Sequence, residues 1–293
     1  MTNVHPAANV RGILWVLASI PCFQAMNVML RNMAADLHPI EVMFFRNLFG
    51  FLVLLPFLLR GTNVFATQRL GTNLLRGSAH FFGMALWVYA LTLIPLATAN
   101  ALLFSSPLFV AIGAMLFMGE RAGIRRWSAL IAGFVGVLII FQPGIESLSL
   151  GATAVLVSAI LLAVSKLLTK RVVQTDSTLS TVFYLNVVMC ATALVPTIMV
   201  WQAPSPGQYL WFAALGVVGG LAHWCLTRAV RLADLTALQP FEFTALIWAA
   251  GLGYVLYAEI PTTQLFVGGA IIIASASYIA HREAIKSRQS AVP

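Results

Sequence analysis

The chain is predicted to be an all-α polytopic membrane protein, with ten transmembrane helices arranged as two inverted five-helix repeats. Composition is the first reason: of 293 residues, 60% are hydrophobic and only 9% charged, whereas roughly 25% of an average soluble domain is charged. The second is length. The apolar runs extend over about 18 to 23 residues, enough to cross a hydrocarbon core of about 30 Å at 1.5 Å per residue. The third is internal repetition, the signal of a duplicated unit. Laid against itself at an offset of 139 positions, the sequence sets Glu120 on Glu259, Phe104 on Phe243, Asn100 on Gln239 and Ala90 on Ala229. The same offset sets Gly77 on Gly216, Phe44 on Phe183, Asn47 on Asn186, Ser19 on Ser158 and Gly12 on Gly151, without a gap.

In chain order, the first run is Gly12 to Met29, behind a short leader whose only full charge is Arg11. It is longer than a signal-peptide core and has no small-residue cleavage site, so it is expected to stay as the first span. Pro39 to Leu59 follows and contains Arg46; Thr72 to Leu93 carries His80 and Trp87; Leu96 to Met118 carries Asn100, Phe104 and Pro107; Ile124 to Phe141 carries Gly133 and Gly136. These five form a first repeat, residues 11–143. A second, residues 150–282, reads Leu150 to Leu168 with Lys166, Thr178 to Val200, and Gly207 to Ala229 with His223 and Trp224. It closes with Leu235 to Tyr257, the counterpart of the fourth run, and Thr263 to Ala280. The glycines of the fifth, eighth and tenth runs, among them Gly216, Gly219, Gly220, Gly268 and Gly269, read as close helix contacts.

Orientation follows from charge. With the N-terminus in the cytoplasm, fifteen of the Lys and Arg residues fall on or near the inner side, Arg76, Lys166 and Lys170 among them, and only Arg31 falls near the outer side. Under the positive-inside rule both termini are expected to be cytoplasmic. The net charge of +8 then reports topology and calls for no nucleic-acid partner. Five spans per half make the second half enter from the opposite side to the first, which is the inverted-repeat design of secondary transporters.

The stretch PLATANALLFSSPLFVAIGAMLFMGERAGIRRWSALIAGFVGVLII, Pro95 to Ile140, resembles the signature of the EamA family of the drug/metabolite transporter superfamily. EVMFFRNLFGFLVLLPFLL, Glu41 to Leu59, is similar to that family's second helix, with its arginine and closing proline. The likeness covers about residues 11 to 282 and is weaker in the second half, where Pro107 faces Leu246 and Gly119-Glu120 becomes Ala258-Glu259. It implies ten helices, two inverted repeats around a central cavity, and export of small metabolites by alternating access across a bacterial inner membrane. Within the family the chain is most like the YddG-type exporters of aromatic amino acids.

Polar residues inside spans are costly in lipid and mark partners or wet cavities. Gln24, Asn27 and Arg31 lie at i, i+3 and i+7, on one face of the first helix. His80 and Trp87 share a stripe of the third, and His223 and Trp224 occupy the eighth. Asn100 and Phe104 match Gln239, Glu242 and Phe243, so an amide and an aromatic ring share one face in both halves. Pro107 and Pro240 free backbone carbonyls that need protein or water to satisfy them. The expected substrate-binding set is therefore Gln24, Asn27, His80, Trp87, Asn100, Phe104, Gln239, Glu242 and Phe243. Each has a plainer reading: the amides as interhelical glue, the histidines bonded to carbonyls, the rings as packing. Lys166 and Glu242 fall at similar depth, so Lys166 either pairs with Glu242 as a gate or snorkels to the headgroups. Asp36, Glu41, Glu146 and Glu259 read as solvated loop residues.

Cys22, Cys190 and Cys225 all lie inside spans at spacings that suit neither disulfides nor zinc. No HExxH, Walker or GxSxG motif occurs. Neither a metal nor a cofactor is expected, and an intramembrane enzyme, a scramblase or a channel ranks behind a carrier. The expected partners are the bilayer and a small amphipathic solute, for a monomer. Aromatic or other apolar amino acids come first as that solute, then quaternary ammonium drugs or a nucleoside-like solute.

Overall fold

A computed structural model describes residues 6–33, 36–55, 65–90, 93–94, 102–120, 122–141, 149–258 and 263–289. Among them the regular structure is helical throughout, in eleven segments: α1 Pro6–Met33, α2 Pro39–Leu52, α3 Leu70–Ala90, α4 Ser106–Met118, α5 Ile124–Phe141, α6 Leu150–Val172, α7 Thr178–Met199, α8 Pro206–Leu232, α9 Leu235–Glu242, α10 Ala245–Tyr257 and α11 Thr263–Gln289. Asn9–Leu30, Leu150–Val172, Thr178–Met199 and Pro206–Leu232 are each long and apolar enough to cross a membrane. The outer surface is apolar where a water-soluble protein would be polar, with Leu116 72% and Phe117 69% exposed.

The run expected as one helix from Leu235 to Tyr257 is broken. Pro240 offers no amide hydrogen, and around Phe243–Thr244 the chain tightens into i→i+3 bonds, Thr244 N–H to the Phe241 carbonyl at 3.0 Å and Leu246 N–H to that of Phe243 at 3.1 Å. The fourth run has the same break 139 positions earlier. Ser105 N–H bonds the Leu102 carbonyl at 3.0 Å and Leu108 N–H that of Ser105 at 2.9 Å, and α4, the part of the run after the break, begins at Ser106. Residues 95–101, with the expected site residue Asn100, lie outside the described residues. Both interrupted helices end on a left-handed residue, Gly119 at φ 66° and Ala258 at φ 54°. Glycine adopts that conformation freely, whereas Ala258 holds it against its own Cβ.

α1, α3, α5, α7 and α9 start at one end of the bundle, here the proximal end, where Asn9 and Arg126 meet Asp234 and Asn73 meets Asp176. The most extensive pairings are α3 along α6 and α1 along α8, followed by α5 along α11 and α2 against α7. The contacts recur at the repeat offset. A Cβ at Gly77 would lie 2.6 Å from the Val188 side chain, and one at Gly216 would lie 2.6 Å from the Phe49 backbone. Positions 49 and 188 are counterparts, as are 77 and 216. Likewise Gly12 faces Ala233 while Gly151 faces Ile94.

Three surface or packing expectations change. Glu41 is fully buried rather than solvated; its Oε1 accepts the Gln202 N–H at 3.3 Å and its Oε2 has no partner among the described residues. Arg76 is buried rather than a topological surface charge, bonding Thr169 Oγ1 at 3.3 Å and the Thr181 carbonyl. Gly220 and Gly269 meet nothing within 4 Å of an added Cβ, unlike Gly133, which lies against the Phe243 ring.

Candidate functional site

Five helices bring polar side chains to the middle of the bundle. His80 of α3 and His223 of α8 lie with ring centroids 5.9 Å apart, and Phe23 of α1 meets His223 edge-on at 5.0 Å. Ser165 of α6 stands 3.5 Å from His80 Nδ1. The next residue, Lys166, is hydrogen-bonded through Nζ to Glu242 Oε1 at the end of α9. With the two side chains only 15% and 23% exposed, pairing rather than snorkelling describes Lys166. Removing either member of so buried a pair leaves an uncompensated charge.

Arg46 of α2 is 6% exposed. Its guanidinium reaches Met26 Sδ at 3.5 Å and Asn47 Oδ1 at 3.3 Å. Met26 sits 3.1 Å from where a Cβ of Gly219 would stand, one turn of α8 before His223. Through Met26, Arg46 thus borders the stretch of α8 that carries His223.

The other expected site residues are more scattered. Asn27 donates to Gln24 Oε1 at 3.3 Å, an i, i+3 bond along α1, with Asn27 exposed and Gln24 half-buried. Trp87 packs with Ile94, Leu102 and Leu103 against Ala154 and Val155, its buried indole N–H without an acceptor among the described residues. Phe104 and Phe243 stand 6.1 Å apart, with Phe243 fully buried. Gln239 is fully buried too; its Nε2 donates to the Leu235 carbonyl at 3.1 Å, and its Oε1 accepts nothing among the described residues. Two open clefts, of about 370 and 330 Å³, lie elsewhere: one at the distal rim beside Asp36 and Trp211, the other beside Arg11 and Trp15.

Residue-by-residue reading missed a polar lock at the proximal end. Glu120 caps α9, accepting from Leu235 N–H at 2.9 Å, Thr236 N–H at 3.0 Å and Thr236 Oγ1 at 3.0 Å, where the helix dipole favours a carboxylate. Arg126 reaches Asp234 at 3.3 Å and Thr236 Oγ1 at 2.9 Å, and Asn9 Oδ1 accepts the Asp234 N–H at 3.0 Å. Lys170 donates to the carbonyls of Val230, at 2.9 Å, and Ala233. Asp234 just before Leu235 is a helix N-cap pattern, the one signal that could have located this lock. Nearby, Asp176 in the α6–α7 turn accepts from Thr67, Gln68 N–H at 3.1 Å, Asn73 at 3.2 Å and Thr175 at 3.0 Å. Burial pushes its carboxyl up, but these bonds outweigh burial and hold it below the ordinary value.

The family model of the EamA-like transporter family matches residues 10–142 and again 149–280. The chain belongs to the EamA-like transporter family. This EamA protein is 33% identical over 273 residues to the S-adenosylmethionine uptake transporter of Rickettsia felis, covering 93% of each chain. It is 31% identical over 292 residues to the riboflavin transporter of Vibrio cholerae, covering 97% of each. A solved crystal structure matches its fold with a TM-score of 0.81 over 93% of this chain and 98% of the other, at 18% identity. The EamA protein is therefore an integral membrane transporter for a small molecule, and not an enzyme. The relatives' names do not support the narrower likeness to aromatic amino acid exporters, nor amino acid export as such.

Proposed function

We propose that the protein takes up an S-adenosylmethionine-like solute, a nucleoside carrying a zwitterionic tail, by alternating access between two inverted five-helix repeats, residues 11–143 and 150–282. The observation that carries this reading is the 33% identity to an S-adenosylmethionine uptake transporter across 93% of both chains. Charge placement supports it. Arg46 lies seven residues from the start of α2 at the distal end and Glu242 seven from the start of α9 at the proximal end, each about 10 Å deep at 1.5 Å per residue. A solute carrying both charges suits such a pair of poles, and the rings of Phe23, His80 and His223 offer surfaces for a heterocycle between them.

Recurrence of helix breaks, left-handed caps and glycine contacts at the 139-residue offset supports the two-repeat reading. The excess of Lys and Arg at the proximal end supports placing that end, with both termini, in the cytoplasm of a bacterial inner membrane. In this arrangement Lys166–Glu242 is a gate that the substrate's cationic end opens by competing for the carboxylate. Gln24, Asn27 and Trp87 line the path, Gln239 offers its free carbonyl, and Phe104 and Phe243 support the hinge of the broken helices.

Proteoliposomes containing the purified protein should take up labelled S-adenosylmethionine saturably, with competition by unlabelled substrate and not by riboflavin or tryptophan. Saturable uptake of riboflavin or tryptophan with indifference to S-adenosylmethionine would overturn the assignment.

A further inference from the structure

The buried middle of the bundle is unevenly charged. Lys166 has Glu242, and Arg76 has Thr169 Oγ1 and the Thr181 carbonyl. Arg46 has no carboxylate partner among the described residues. Glu41, five residues earlier on the same helix, accepts the Gln202 N–H through Oε1 and does not bond Arg46, and its Oε2 has no partner among the described residues. What Arg46 has is a thioether sulfur at 3.5 Å, a weak acceptor, and the neutral amide oxygen of its own neighbour at 3.3 Å, neither of which supplies a countercharge. The imidazoles of His80 and His223 offer no negative charge. A cation this deep without a counter-ion is expensive, and in membrane proteins such a group marks a substrate pathway.

From this geometry we infer that Arg46 is the anchor for a carboxylate on the transported solute, binding it through both Nη groups after displacing the Met26 sulfur. The planar guanidinium fork matches a carboxylate bidentately, and neither contact it now makes competes with one. Arg46 then sets specificity. Solutes that carry a carboxylate are held, and uncharged heterocycles of the same size are not. The assignment deepens the proposed function and rests on its reading of the polar centre as the binding site. It differs in naming the chemical group recognised and the residue that recognises it.

The test compares solutes that differ at one group, on purified protein in detergent: S-adenosylmethionine with its decarboxylated analogue, tryptophan with tryptamine, and riboflavin with riboflavin 5′-phosphate. Wild type should bind a carboxylated member at least about tenfold more tightly than its decarboxylated partner. Arg46→Gln should remove that preference while leaving the affinity for the decarboxylated partner within about threefold, and Arg46→Lys should restore part of it. The wild-type comparison alone can defeat the inference, so an Arg46→Gln protein that fails to fold does not protect it. Equal binding within every carboxylate pair, binding of no carboxylated member, or a preference only for the 5′-phosphate would overturn it. Loss of both partners alike in a folded Arg46→Gln would also overturn it. Discrimination in the tryptophan pair with no binding of S-adenosylmethionine would defeat the adenosylmethionine reading and leave the role of Arg46 intact.

Discussion

The two halves of the chain agree in their frame and disagree in their charges. At matching positions both have a helix broken after a proline or before one, a left-handed terminal residue, and a glycine pressed against the same partner position. The buried charges and imidazoles have no such matches: Arg46 corresponds to Leu185, Glu242 to Leu103, Lys166 to Asn27, His80 to Gly219 and His223 to Met84. The lesson is a division of labour. Backbone geometry and small-residue contacts build a frame that repeats, whereas the groups that meet a solute are placed once, giving a site with unlike ends.

Changes to the unmatched charges should have the largest effects. Lys166→Met strands Glu242 and should cost about 3 kcal/mol of stability in addition to abolishing transport. Pairing it with Glu242→Leu should recover most of the stability and none of the transport, read by thermal unfolding in detergent and by uptake. Recovery of both would make the pair purely structural and break the comparison.

Asp176→Asn comes next, at about 2 kcal/mol, since it weakens several hydrogen bonds to a buried carboxylate. The folded carboxyl titrates below its ordinary value of 3.8. Its stabilisation is therefore complete above that pH and is lost as the pH falls through the lower, folded value. Unfolding curves of wild type and Asp176→Asn should accordingly differ at pH 7 and converge at strongly acidic pH.

Matched glycines sharpen the frame side of the comparison. Gly216→Ala drives a methyl into the Phe49 backbone, whereas Gly77→Ala meets the movable side chain of Val188. About 2 and 1 kcal/mol are the respective expected losses. The smallest change belongs to Gly220→Ala, within about 0.5 kcal/mol, because nothing lies within 4 Å of the added methyl.

Much of the frame was legible because its signals are local or repeated. The predicted run Ile124 to Phe141 coincides with α5, and the predicted starts at Leu150 and Thr178 coincide with those of α6 and α7, where Ser149 and Ser177 supply side-chain caps. The breaks at Phe104–Ser105 and Phe243–Thr244 were hinted at by Pro107 and Pro240, but hydropathy runs straight through them. Burial was harder to read. Glu41 and Arg76 look like surface charges in the sequence because their partners, Gln202 and Thr181, are more than 100 positions away. Lys166 left two readings open until the position of α9 beside α6 brought Glu242 to it. Arg46 was visible as a charge inside a span, but its lack of a countercharge is a fact of packing.

Uptake of labelled S-adenosylmethionine into proteoliposomes, measured side by side for wild type and Glu242→Gln at equal reconstitution, tests most directly whether the unmatched charges handle the solute. The account predicts saturable uptake by wild type and a rate at least about tenfold lower for Glu242→Gln, roughly 1.4 kcal/mol of barrier, with the variant still folded and monodisperse. Wild-type uptake in Glu242→Gln would contradict it and return the carboxylate to the frame.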